Sequence, residues 1–134
     1  MGRNYYTGKY ALDKHELLSA IHYALRYRKW KDEYKTLADT SKAISYEGDR
    51  VQTSGGYDPT ETAGMRMAEL SGKIALIEQT AKETDPDLYE WILQGVTEDW
   101  ATYKYLSTIK GIPCGKDVYF NRRRKFYYLL TRKI

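Results

Sequence analysis

Apolar side chains recur at alternating steps of four and three along two long stretches of the chain, and that spacing decides its fold class. Tyr23, Tyr27, Trp30, Tyr34 and Leu37 make one row; Met67, Leu70, Ile74, Ile77 and Ala81 make the other. Such steps put side chains on one helical face and suit a seam against a partner helix; a strand would alternate every second residue. A shorter row, Leu18, Ile21 and Leu25, precedes the first. The boundaries agree with the rows. Asp13 with Glu16 three residues later makes a capping box, which predicts one helix over residues 13–40. Asp58-Pro59-Thr60-Glu61 supplies a cap, a first-turn proline and an acid for the next helix. The two helices are expected to form an antiparallel hairpin with coiled-coil-like packing.

Between them, residues 46–57 hold Gly48, Gly55 and Gly56 and no period, which reads as a long loop. It lacks the Gly-x-x-x-x-Gly-Lys-Ser/Thr pattern that cradles phosphates, so nucleotide binding is not expected there. Residues 1–12 also lack a period and read as a tail that docks through its tyrosines.

The last third is organised differently. Thr84-Asp85-Pro86 starts a short helix with Leu88, Trp91 and Ile92 inward and Gly95 as its end; Thr97-Glu98-Asp99 caps the next. In that next helix Tyr103, Leu106 and Ile109 share a face. Gly111 can close it in the left-handed conformation, and Pro113 cannot continue it. A last helix opens near Lys116, its buried face being Tyr119, Phe126, Leu129 and Leu130. A support helix, a glycine turn and a basic helix make the pattern of a helix-turn-helix. The expected fold is therefore all-α, with a helical hairpin in residues 1–83 and a three-helix unit containing the helix-turn-helix in residues 84–134.

Charge points to a partner. Residues 101–134 hold nine basic side chains and one acid, Asp117, a net +8; residues 1–100 hold thirteen basic and seventeen acidic, a net −4. Solubility does not require that asymmetry, and it suits phosphate oxygens. Lys116, Asp117, Phe120, Asn121, Arg122, Arg123, Arg124 and Lys125 are the candidate DNA-binding residues. Arg123 and Arg124 are expected on phosphates, and Asn121 and Arg124 are expected to read adenine and guanine. The plainer reading of Arg122–Lys125 is a solvated helix face.

Other chemistry has little support. His15 and His22 lie seven apart with no accompanying metal pattern, and Cys114 has no His partner, although Lys110 and Lys116 nearby favour a lowered thiol pKa. One cysteine permits neither an internal disulfide nor a cysteine-based zinc site. No cofactor and no enzymatic activity are expected. No run approaches eighteen apolar residues and no signal-peptide pattern follows Met1, so a membrane partner is not expected and a cytoplasmic protein is.

The order of these parts resembles the RinA/ArpU-type late transcriptional regulators of temperate phages of Gram-positive bacteria. The matching stretches are KWKDEYKTLADTSKAI, the loop through TSGGYDPTE, the helix AGMRMAELSGKIALIEQTA and the closing IPCGKDVYFNRRRKFYYLL, together spanning about residues 29–131. In that family a helix-turn-helix similar to region 4 of sigma factors closes the chain; here the RRRKFYYLL end is more basic and more aromatic. The resemblance implies a sequence-specific regulator that binds double-stranded DNA in the host bacterial cell and activates late phage genes. The hairpin is then expected to supply either homodimerisation or contact with bacterial RNA polymerase. Two alternatives are a DNA-packaging protein of the small-terminase type and a protein-interaction module that inhibits a host machine through the tyrosine-rich hairpin.

Overall fold

A computed structural model describes residues 5–46 and 59–134, and among these it contains six helices and no strand. They are α1 (Lys14–Leu25), α2 (Tyr27–Tyr46), α3 (Pro59–Thr84), α4 (Tyr89–Thr97), α5 (Tyr103–Thr108) and α6 (Lys116–Thr131). The expected loop at 46–57 falls, beyond Tyr46, outside the described residues, as do Asp58 and residues 1–4.

The stretch expected as one helix bends at Arg26. Its N–H reaches back three residues to the Tyr23 carbonyl (3.2 Å), while its own carbonyl accepts from Trp30 (3.0 Å) and starts α2. The bend gives the two halves different partners: α1 packs chiefly on α6 and α4, and α2 on α3. Periodicity does not register it, because the apolar phase continues through a one-residue break.

The row expected along α1 is displaced by one residue. Leu18 is 36% exposed, and Leu17, Ala20 and Ala24 are buried in its place. Two alanines let α1 approach its neighbours closely, so the innermost row is the smaller one and the bulkier residues flank it.

The expected rows meet in the α2–α3 pair except at Tyr34, which is 36% exposed, and at Tyr23, which lies in α1. Leu70, Ile77 and Ala81 are buried, and Tyr27 and Trp30 face them. Pairing runs antiparallel: the Tyr27 hydroxyl donates to Glu78, Lys73 sits over the Trp30 ring at 5.2 Å, and Arg66 grips Glu33 with two hydrogen bonds of 2.7 and 3.0 Å.

Gly95 does not end its helix. α4 continues to Thr97, and the hydroxyl of Tyr119 occupies the space a side chain on Gly95 would need, 1.9 Å from the Cβ position. The cap of α5 is Thr102, whose hydroxyl accepts from the Tyr105 N–H at 3.2 Å, instead of the Thr97-Glu98-Asp99 group. Because α5 is only six residues long, Ile109 stands outside it, 67% exposed. Gly111, at φ +64°, turns the chain so that Ile112 is buried instead, its N–H on the Leu106 carbonyl.

The core crosses the expected boundary at residue 84. Tyr119, Phe126, Tyr127 and Leu130 of α6 share one buried cluster with Leu17, Ala20 and Ala24 of α1, Ile77 and Ala81 of α3, and Ile92 and Val96 of α4. Tyr127 takes the buried place expected for Leu129, which is half-buried. At the end of α6, Lys133 reaches α3, 2.8 Å from Glu83 and 3.0 Å from the Thr80 hydroxyl. Among the described residues no helix is long and apolar enough to cross a membrane.

Candidate nucleic-acid interface

The turn before α6 is held by side chains that reach its backbone carbonyls. Tyr103 donates its hydroxyl to the Cys114 carbonyl at 2.7 Å, and the Trp91 indole donates to the Lys110 carbonyl at 2.9 Å. Cys114 is a turn residue. Burial pushes its thiol pKa up, and the Asp85 carboxylate adds to that, so the expected lowering by the neighbouring lysines does not occur.

Helical geometry then separates the basic run. Four consecutive helical residues point in four directions about 100° apart, so one face cannot hold Arg122, Arg123, Arg124 and Lys125 together. Arg122 turns toward the α3–α4 connection, where it meets Asp85 at 2.9 Å, and it also donates to the side-chain amide oxygen of Asn121 at 3.0 Å. Burial works to raise the Asp85 pKa. The Arg122 hydrogen bond, the N–H groups of Asp87 and Leu88 and the Arg122 charge outweigh it and hold the carboxyl below its ordinary range.

Arg123 turns inward. It donates to the hydroxyls of Tyr127 (2.8 Å) and Tyr119 (3.4 Å), and its guanidinium lies 5.7 to 5.9 Å from the ring centres of Tyr127, Tyr119 and Phe120. Its Nε is buried and has no hydrogen-bond partner among the described residues. The arginine expected on a phosphate is thus committed to the tyrosines of its own helix. Arg124 is half-buried beside the N-terminal tail, with Nη1 3.9 Å from the Cβ position of Gly8 and Nε also buried without a partner among the described residues. Phe120 is half-buried edge-on to Tyr119 at 5.0 Å, so it does not stand clear of the core as expected.

Lys116, Asp117 and Asn121 are exposed, and Lys125 is half-buried. Asp117, Asn121 and Lys125 follow at steps of four on the side opposite Tyr119, Phe126 and Leu130, and the same stripe continues to Tyr128 and Arg132. Lys104 and Lys110 are exposed on α5 and the turn. Neither they nor Lys116 nor Lys125 has an ion-pair partner among the described residues. The outward surface of this end is therefore a set of solvated lysines around one amide whose oxygen is fixed by an anchored arginine.

Sequence reasoning, which follows the densest run of cations, leaves out Lys104, Lys110 and Arg132, which are exposed. From Asn121, helical steps of four, three and four through Lys125 and Tyr128 lead to Arg132. His15 and His22 are exposed, and among the described residues no group of three His, Cys, Asp or Glu side chains could hold a metal ion. Comparisons with protein-family models, with curated proteins and with solved structures each give no match.

Proposed function

We propose that this protein is a sequence-specific DNA-binding regulator of transcription, with α5, the turn and α6 acting as a helix-turn-helix and the outward stripe of α6 entering the major groove. The observation that carries this reading is the placing of Asn121 and Lys125 one turn apart on that stripe, with Lys104, Lys110 and Lys116 exposed on α5, the turn and the start of α6 and Asp117 the one acid in residues 101–134. Asn121 can pair with an adenine edge through its oxygen and its amide NH₂. Arg122 occupies one lone pair of that oxygen and, being tied to Asp85, sets the amide plane while leaving the second lone pair for a base. The lysines supply sequence-independent attraction to phosphates. Activation of late phage genes follows from the resemblance in layout, and dimerisation or RNA polymerase contact is what the α2–α3 hairpin, which carries none of the proposed DNA contacts, would supply; these are proposals of the same standing. Tyr34 and Met65, 36% and 68% exposed on the hairpin, are where a protein partner would sit.

The test is selection from a randomised duplex library, followed by binding measurements on the winning site. A preferred site should emerge, and Asn121→Ala should relax preference at one base pair by about 1–3 kcal/mol while changing affinity for unrelated duplexes little. Lys104→Gln with Lys116→Gln should weaken binding to every duplex alike. Failure of the full chain to bind duplex DNA at low salt would sink the reading.

A further inference from the structure

We propose that the N-terminal arm, residues 5–12, belongs to the DNA-binding surface, and that Lys9 of the arm and Arg132 at the end of α6 grip phosphates beyond those met by Lys125. The inference rests on the DNA-binding reading above and adds to it a second element far from α6 in sequence.

The arm has a defined seat. Gly8, at φ +91°, folds it back on itself, with the Ala11 N–H on the Gly8 carbonyl (3.2 Å) and the Leu12 N–H on the Tyr5 carbonyl (2.9 Å). Leu12, 5% exposed, anchors it in the core. Tyr5 stands edge-on to Tyr127 at 6.0 Å, and Tyr10 lies against Tyr128 at 5.5 Å. Tyr128 is on the outward stripe of α6, one step beyond Lys125, so the arm lies beside the face assigned to DNA.

Cations bracket this contact. Lys9 sits over the Tyr10 ring at 5.6 Å, and Arg132 over the Tyr128 ring at 5.4 Å, where it also donates to the hydroxyl at 3.2 Å. The sequence of contacts is cation, ring, ring, cation. Lys9, Lys125 and Arg132 have no carboxylate at ion-pair distance among the described residues, and Lys9 and Arg132 are exposed. Lys125 and Arg132 are seven residues apart, about 10 Å along the helix axis, so they reach different phosphates.

The rings argue for a duplex. Binding single strands needs open aromatic faces on which bases stack. The Tyr10 and Tyr128 rings already pack on each other and under the two cations, which leaves charge rather than stacking as what this surface offers. Phosphates on a duplex backbone match it. A cation at the end of α6 also offsets the last carbonyls of that helix, a purely structural role that would change stability and not the salt dependence of binding.

The full chain is titrated against a fluorescein-labelled mixed-sequence duplex by anisotropy at several salt concentrations, with thermal unfolding of each variant alongside. Lys9→Gln and Arg132→Gln should each reduce the slope of log K against log salt by about 0.9 and weaken binding about fivefold at about 0.15 M salt. Lys9→Arg and Arg132→Lys should keep the slope. If Lys125→Gln lowers the slope while Lys9→Gln and Arg132→Gln leave it unchanged, the arm is not part of the interface, although the DNA-binding reading stands. If the arm variants alter only the melting temperature, the role is structural and the proposal is overturned. Tighter binding to a single-stranded oligonucleotide than to the duplex overturns the choice of ligand, and no binding to either overturns both readings.

Discussion

Arg123 donates a 2.8 Å hydrogen bond to the hydroxyl of Tyr127, one turn further along the same helix. Both side chains face the core, and the guanidinium is ringed by Tyr119, Phe120 and Tyr127. Among the described residues it has no carboxylate partner, so phenol oxygens and ring faces compensate for its lost hydration. Arg123→Ala should therefore cost stability, about 2–3 kcal/mol in urea unfolding, through lost packing and two lost charge-assisted hydrogen bonds. Arg123→Lys should recover only part of it, since an ammonium cannot fork to two hydroxyls. Arg123→Gln, where it folds, should keep the wild-type salt slope of DNA binding; a slope reduced by about 0.9 would mean that Arg123 meets a phosphate after all.

Gly95 and Tyr119 are matched in shape. A methyl group at Gly95 would lie 1.9 Å from the Tyr119 hydroxyl oxygen and 3.1 Å from the ring carbon bearing it, and Tyr119 is fully buried with no room to withdraw. Gly95→Ala should destabilise by about 2 kcal/mol, although alanine is the better helix former at an α4 position. Adding Tyr119→Phe should restore part of the loss. A double-mutant cycle checks this, and simple additivity of the two changes would disprove the close fit.

Acid should destabilise the fold in part through Asp85. Its folded-state pKa lies below the ordinary value, so the folded protein binds this proton less readily than the unfolded chain does. The stabilisation is then complete above about pH 4 and is lost as pH falls through the lower folded-state pKa. Asp13, Glu33 and Glu83 act in the same direction, held low chiefly by the Glu16 N–H, Arg66 and Lys133 respectively. Asp85→Asn should be about 1–2 kcal/mol less stable at pH 7, a modest figure because Arg122 is 36% exposed. It should also lose less on acidification. Chemical denaturation at pH 7 and pH 3 compares them, and parallel losses in both proteins would remove Asp85 from the account.

The shared core makes residues 84–134 dependent on the rest. Residues 84–134 expressed alone should lack cooperative unfolding, because Phe126, Tyr127 and Leu130 would lose the α1 and α3 surfaces that bury them. Lys133 would also lose Glu83 and Thr80. Circular dichroism during heating is the measurement. A sharp transition in the fragment would mean that α4, α5 and α6 form a core by themselves.

What the sequence determined by itself was local and periodic. The apolar steps of three and four specify helices, Asp13 and Glu16 form the capping box, with hydrogen bonds of 3.0 and 2.8 Å, and Gly111 takes the left-handed turn. Each depends on neighbours within about one helical turn, which spacing can report. Tertiary packing decided the rest. Whether Leu17 or Leu18 faces inward depends on how closely α1 approaches α6, and a row of alanines carries little hydrophobic signal. Whether Gly95 stops a helix or admits a tyrosine depends on Tyr119, 24 positions away. The basic run shows the difference most clearly. Composition makes Arg122, Arg123, Arg124 and Lys125 equivalent, but a helix turns them to different sides, and what lies on each side comes from elsewhere in the chain. Asp85 takes the first, the tyrosine cluster takes the second, and the N-terminal arm covers part of the third. Lys125 stays on the outward stripe, one turn after Asn121, and the arm meets that stripe further on, where Tyr10 packs against Tyr128.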